Sequence, residues 1–297
     1  MIKIDRNNLE VIAEQYLEKL KNTGRRRDRN SLKSYFLNNF DSIILADPNM
    51  FFGIKLSFEK LSKTLPNKED IKKFRIYMDN QYKEMCKEIG KWLSKELDIQ
   101  TCPYCNRQYT ISIGKGKNKN VRPQFDHFLP KSLYPYLALS FYNLIPCCSI
   151  CNQIKSNNID KPLLHPYYEG FENDFKFEVD HLGYILENKK IDRVECKEQF
   201  TDIERSFRER CNNNIDTFIL NDLYSHHSDY VEEIIDKAYT YNKDYFTGLS
   251  EEFSKMGKSP SEIKRIIFGN YIERANNEKR PFSKLTSDVL EQIGLKD

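Results

Sequence analysis

Cys102-Pro103-Tyr104-Cys105 and Cys148-Ser149-Ile150-Cys151 bracket the run Gln124-Phe125-Asp126-His127-Phe128-Leu129-Pro130-Lys131-Ser132. Each cysteine pair has the two-residue spacing that lets a tight turn present both thiolates to one metal ion. Together the pairs make a four-sulfur tetrahedral site. The 42 residues between them exceed a compact zinc finger, so the metal is expected to tie the two ends of an inserted subdomain. Cys-Pro-Tyr-Cys is also a dithiol sequence of redox proteins, where it follows a strand and opens a helix. Here helical periodicity precedes it, alternation follows it, and a second pair exists downstream. Cys147 is an alternative to Cys148 as ligand; the spacing to Cys151 favours Cys148.

Outward from this stretch, the chain counts 297 residues, 39% hydrophobic and 31% charged, with 18 Tyr and 19 Phe. That aromatic content supplies the bulky apolar surface a disordered chain lacks. Mean hydropathy is −0.70, and no run of about 18 apolar residues occurs, so neither a membrane span nor a secretory leader is expected. The formal net charge of +3 is too small to announce a polyanion partner, which confines any nucleic-acid surface to a local patch. Five of the eight cysteines lie between residues 102 and 151. Such crowding fits metal ligation in a reducing cytoplasm better than a disulfide framework.

Apolar residues at helical spacing predict helices over 5–22 (Leu9, Ile12, Ala13, Tyr16, Leu17, Leu20), Leu32 to Ile44, and about Lys68 to Leu97. Around residue 100 the pattern becomes alternating. Strands are expected at Tyr109–Ile113, Val121–Phe128 and Tyr142–Cys147, then a short helix at Asn152–Lys155. Phe175–Val179 and Gly183–Leu186 read as a hairpin turning over Asp180 to Gly183, and helical spacing returns from Asp192. The expected fold is α+β and predominantly helical: helical regions at 1–98 and 191–297 flank a central subdomain with its following hairpin at 99–190.

Asp126-His127-Phe128-Leu129-Pro130, then Asn143-Leu144-Ile145-Pro146, then Cys151-Asn152-Gln153-Ile154-Lys155 together resemble the ββα-metal, or HNH, endonuclease family in its four-cysteine zinc form. The resemblance covers residues 100 to 158, with Asn152 where some members carry His. It implies a phosphodiester hydrolase with His127 as general base and with Asp126 and Asn152 holding a catalytic Mg²⁺ or Mn²⁺. Asn143 is then expected to brace the loop that orients the imidazole, Lys155 to meet a phosphate, and Cys102, Cys105, Cys148 and Cys151 to hold structural Zn²⁺. The chemistry wants these types: a neutral imidazole can take a proton from water near pH 7, and oxygen donors suit a hard divalent ion. More loosely, outside the motif, His165-Pro166-Tyr167 with the Phe-rich stretch after it and the tail Arg280-Pro281-Phe282-Ser283-Lys284-Leu285 are similar to longer HNH proteins, among them the HNH subunits of Septu-type anti-phage defence systems. That implies a cytoplasmic antiviral effector cutting DNA beside an ATPase partner. Structured RNA is the alternative substrate, and a zinc-stapled module that binds nucleic acid without cutting it is the alternative class.

Taken singly, these residues have ordinary readings, since Asn143 suits a turn and Asn152 a helix cap. Their joint order inside the cysteine frame carries the argument. Lys131, Lys117, Lys119 and Arg122 beside the first strand are candidate phosphate contacts, as is the run Arg25, Arg26, Arg27 and Arg29, although a solvated face is the default for such charge. His165 follows the motif closely and is expected to be structural. His226 and His227 lie in a helical region without nearby cysteines. Cys86, Cys196 and Cys211 are isolated and read as small buried hydrophobes.

Overall fold

A computed structural model describes residues 1–22, 30–64, 68–114, 121–157, 160–172, 174–200, 202–241 and 243–295. Arg25, Arg26, Arg27, Arg29, Lys117 and Lys119 lie outside the described residues. The chain divides into two compact units, residues 5–99 with 110–160, and residues 1–4 with 100–109 and 161–297. The fold is mostly helical with small two-stranded sheets, an α+β architecture.

The first unit opens with α1 (Leu9–Lys21), whose Ile12, Ala13, Tyr16, Leu17 and Leu20 are buried as their spacing requires. Then come α2 (Ser31–Asn38), α3 (Phe40–Ile44), α4 (Phe51–Lys63), α5 (Lys68–Glu88) and α6 (Gly90–Leu97). The single helix expected from Lys68 to Leu97 is thus two. The break falls at Ile89, whose φ of −115° departs from the helical value, and Gly90 then opens α6. Phe36, Phe58 and Phe74, from α2, α4 and α5, pack ring against ring in the core.

Among the described residues the expected strand at Tyr109–Ile113 does not form, and the bridges Thr101 to Tyr109 and Ile113 to Val121 appear there instead. Tyr109, Ile111 and Ile113 are exposed while Thr110 between them is buried, so the apolar face of the alternation is turned out and gains too little to build a ladder. Regular pairing begins at β1 (Gln124–His127), antiparallel to β2 (Leu144–Cys147) with Asp126 opposite Ile145 and His127 opposite Leu144. α7 (Ser149–Lys155) follows immediately, capped by Cys148. Strand, strand and helix therefore occur in the order read from sequence.

In the second unit, β3 (Phe175–Glu178) precedes α8 (His181–Glu187) and pairs with β4 (Glu195–Glu198). The strand expected at Gly183–Leu186 is helical. Four alternating residues fit either period, and the Asp180 carboxylate decides the outcome by accepting from the Gly183 N–H at 2.9 Å. A Cβ at Gly183 would sit 2.3 Å from Asp180 Oδ2, so a larger residue there would make that carboxylate shift. Next are α9 (Arg205–Thr217), α10 (Leu220–Ser225), α11 (Ser228–Thr240), α12 (Lys243–Ser254), α13 (Pro260–Phe268) and α14 (Ser283–Gln292). On buried α14, Lys284 and Asp288 pair at 2.8 Å, and Asp288 also accepts from the Phe177 N–H. No helix among the described residues is long and apolar enough to cross a membrane.

Candidate metal centre and hydrolytic site

The four cysteine sulfurs of Cys102, Cys105, Cys148 and Cys151 lie within 4.8 Å of one another and all four residues are buried. A tetrahedral zinc with Zn–S near 2.3 Å separates its sulfurs by about 3.8 Å, so this cluster fits zinc. Local hydrogen bonds shape both turns. The Arg107 N–H donates to Cys105 Sγ and the Cys151 N–H to Cys148 Sγ, each at 3.4 Å. Asn106 takes a left-handed φ of 51°, closing the first turn through its N–H to the Cys102 carbonyl at 2.7 Å. Four buried sulfurs make a closed structural site with no open position for chemistry. No cysteine is in a disulfide. Cys147 lies in β2 beside the cluster, its thiol pushed well up by burial. Burial also pushes the Cys196 and Cys211 thiols up to about 12, as inert apolar packing requires. Cys86 is only half-buried, which corrects its reading as a core residue.

His127 and Asp126, adjacent on β1, project to opposite faces and find different partners. The His127 Nε2 lies 3.1 Å from the Ala138 carbonyl. A carbonyl only accepts, so Nε2 carries the proton and Nδ1 keeps the lone pair in the neutral ring. The imidazole also packs on Tyr82 of α5, ring centroids 4.5 Å apart, and Tyr82 anchors itself by donating to the Phe125 carbonyl at 3.1 Å. Burial drives the His127 pKa down from 6.5 to about 3, so the ring is neutral at physiological pH.

That shift has a measurable consequence for stability. The unfolded chain takes up the His127 proton near pH 6.5 and the folded one does not until about pH 3. The stabilisation is therefore fully present above pH 6.5 and is lost as pH falls through that window, at up to about 1.4 kcal/mol per pH unit. Denaturant titrations at pH 6.5 and 5 should show a smaller loss for His127→Gln than for wild type, and equal losses would contradict the buried neutral imidazole.

Asn143 is fully buried and closes the loop that carries the Ala138 carbonyl. Its Oδ1 accepts from the Leu129 N–H at 2.7 Å, while Nδ2 donates to the carbonyls of Leu129 at 3.1 Å and Leu137 at 3.0 Å. Asn143→Ala removes all three bonds from a dry site. The expected cost is about 3 kcal/mol of unfolding free energy by denaturant titration, with a loss below 1 kcal/mol assigning the loop's shape to other contacts.

On the other face of β1, α7 lays two residues one turn apart over two alternate strand residues. Asn152 Nδ2 donates to Gln124 Oε1 at 2.6 Å, and Lys155 reaches Asp126. The Lys155 ammonium lies 3.2 and 3.0 Å from the two Asp126 oxygens and donates to the His127 carbonyl at 2.8 Å. Both side chains are buried, at 0% and 3% exposure. The ammonium that the family resemblance assigns to a phosphate is thus fully enclosed against Asp126. The two residues that the family resemblance gives to a catalytic ion, Asp126 and Asn152, thus meet Lys155 and Gln124 on this face of β1, while His127 lies on the other.

The remaining candidates scatter. Lys131 pairs with Asp79 and lies 4.7 Å over the Tyr82 ring, and it holds the Asp79 carboxyl below its usual range. Both line a cavity of about 190 Å³ that reaches Ala138. Arg122 spreads over Phe125, 5.3 Å from the ring centre. His165 is buried against Tyr167 and Tyr168. His227 accepts from Arg107 at 2.8 Å and packs on Phe282, while His226 caps the end of α10. Sequence reasoning missed Tyr82, Asp79 and the Ala138 carbonyl. The first two sit on a helix distant in sequence, and a backbone carbonyl leaves no residue signature.

No family model matches the chain, and no solved structure does. A 125-residue alignment is 26% identical to the Septu protein PtuB of Bacillus thuringiensis, covering 41% of this chain and 44% of that relative. The match thus spans less than half the length of the relative. It connects the chain, distantly, to a Septu component.

Proposed function

We propose that this protein is a metal-dependent endonuclease of the HNH type that cuts DNA in anti-phage defence, acting with an ATPase partner. The observation that carries the reading is His127, held through Nε2 by the Ala138 carbonyl on a strand, strand and helix frame that also seats Asp126 and Asn152. The Septu likeness supports the defence role and a partner within such a system.

In the reaction, His127 Nδ1 takes a proton from water as that water attacks phosphorus. A P–O bond forms, the P–O3′ bond breaks, and the leaving oxygen takes a proton from solvent water to become a 3′ hydroxyl, leaving a 5′ phosphate. The family resemblance gives Asp126 and Asn152 to a divalent ion that would supply Lewis-acid charge. The two lie across β1 from His127, however, and Lys155 takes both Asp126 oxygens, so no step is routed through them. The base is weak in the closed pocket, and an anionic phosphate beside the ring raises its pKa toward the working range. Asn143 and Tyr82 keep the imidazole from turning, so the ring meets the water without reorganisation.

The test is incubation of zinc-loaded protein with supercoiled DNA, linear DNA and structured RNA, with Mg²⁺, Mn²⁺ or neither, and with the ATPase partner present in parallel. DNA cleavage that needs the divalent ion supports the reading. Cleavage of RNA alone makes it an RNA nuclease, and tight binding without cleavage in any arm leaves a binding module.

A further inference from the structure

One stripe of α5 lies on the His127 side of β1. Tyr82 packs on the imidazole, and Arg75, Met78 and Asp79, one or two turns before it, line a hollow of about 190 Å³. Its floor is apolar and buried, made by Met78, Pro135 and Ala138, while Arg75 and Ser132 stand exposed on its rim. Lys131 closes the rim, half-buried and 4.7 Å over the Tyr82 ring. The hollow adjoins the loop that holds the base, because the Ala138 carbonyl lies 3.1 Å from His127 Nε2.

Charge around the hollow does not cancel. Asp79 meets Lys131 through Oδ1 and Lys83 through Oδ2, the latter at 2.7 Å. Both its oxygens are taken, so none is left for Arg75 one turn away, and no ion pair to Arg75 forms among the described residues. Three cations against one carboxylate leave a surplus of two positive charges, where the whole chain carries only +3. A guanidinium and a flexible ammonium are the groups that grip a phosphate, and a serine hydroxyl can add a donor. The apolar floor suits the carbon face of a sugar.

We propose that this hollow is a phosphate subsite beside the scissile bond, in which Arg75 and Lys131 take a backbone phosphate and Asp79 is the internal anion that this phosphate displaces from Lys131. The proposal rests on the reading of His127 as a nuclease base. The exchange is cheap, because the side chains of Lys131 and Asp79 are 34% and 38% exposed and a pair so open to water is held weakly. α5, which lies outside the stretch carrying the family resemblance, thereby supplies part of the nucleic-acid surface.

The experiment measures binding of the full zinc-loaded chain to a labelled DNA duplex and to a structured RNA by fluorescence anisotropy, between about 50 and 200 mM salt and without added divalent ion. Arg75→Gln and Lys131→Gln should each reduce the salt slope by about one, which cuts the loss of affinity across that range by about threefold. Asp79→Asn should act in the opposite direction and tighten binding by about threefold or more, because it removes the competing anion. A merely structural Asp79–Lys131 pair would leave nucleic-acid affinity unmoved in both variants. Lys255→Gln, which breaks an exposed pair with Glu252 on α12, should keep the parent's slope; a reduction as large as at Lys131 would make the effect general surface charge and overturn the subsite. Thermal melts check that each variant is folded, and if Lys131→Gln is not, the exposed Arg75→Gln decides alone. Unchanged slopes in folded Arg75→Gln and Lys131→Gln, with parent binding intact, overturn the subsite and leave the nuclease reading standing. A slope reduced on RNA alone keeps the subsite and assigns it to RNA. A parent that binds neither nucleic acid overturns both.

Discussion

His127→Ala is expected to reduce cleavage by about 10²- to 10⁴-fold, the usual worth of a positioned general base. The protein should keep its zinc and its fold. The substitution takes away a ring packed on Tyr82 and one hydrogen bond to a carbonyl, and neither helps to hold the sulfur cluster. Loss of a buried aromatic ring does leave a cavity, costing about 2 to 4 kcal/mol, so the assay belongs well below the variant's melting temperature. His127→Asn is the sharper companion, because its amide can still donate toward the Ala138 carbonyl but has no basic nitrogen. Activity near wild type in either variant, with zinc content unchanged, would remove His127 as the base.

Cys102→Ser is expected to abolish stoichiometric zinc binding and to unfold the surrounding structure. Structural zinc sites are worth about 10 kcal/mol or more of apparent binding free energy at neutral pH, while whole domains are stable by only about 5 to 15 kcal/mol. The metal term is therefore of the same size as the entire margin. Cys105, Cys148 and Cys151 should behave alike, since all four sulfurs share one cluster. Cys147→Ser should retain zinc, because Cys147 lies in β2 and outside that cluster. Zinc measured by plasma emission beside thermal melting checks both. Full zinc and an unshifted melt in Cys102→Ser would rule out the four-sulfur site.

Much of this was legible in one dimension because chemistry at short sequence spacing leaves a signature. Two Cys-x-x-Cys pairs meet in space, and the Asp-His pair sits at the end of a strand that pairs with the strand after Asn143. α1 buries the apolar residues its period selects. Tertiary facts were illegible for a physical reason. Nothing in Tyr82 announces that α5 will lie against β1, and nothing in Lys155 distinguishes an ammonium aimed at solvent from one enclosed by Asp126. The strand expected at Gly183–Leu186 failed because four alternating residues fit a helix equally, and the Asp180 cap, with no cross-strand partner competing, selects it. At Tyr109–Ile113 the alternation was real, but the polar Thr110 faces inward and the apolar residues face out.

The most direct test of the central claim is end analysis of plasmid DNA exposed to the zinc-loaded protein with its ATPase partner, in Mn²⁺ and in its absence, with His127→Ala alongside. The account predicts nicks carrying 5′ phosphate and 3′ hydroxyl ends that require both Mn²⁺ and His127. Cleavage by the variant at the wild-type rate, or uncut plasmid under every condition, would contradict it.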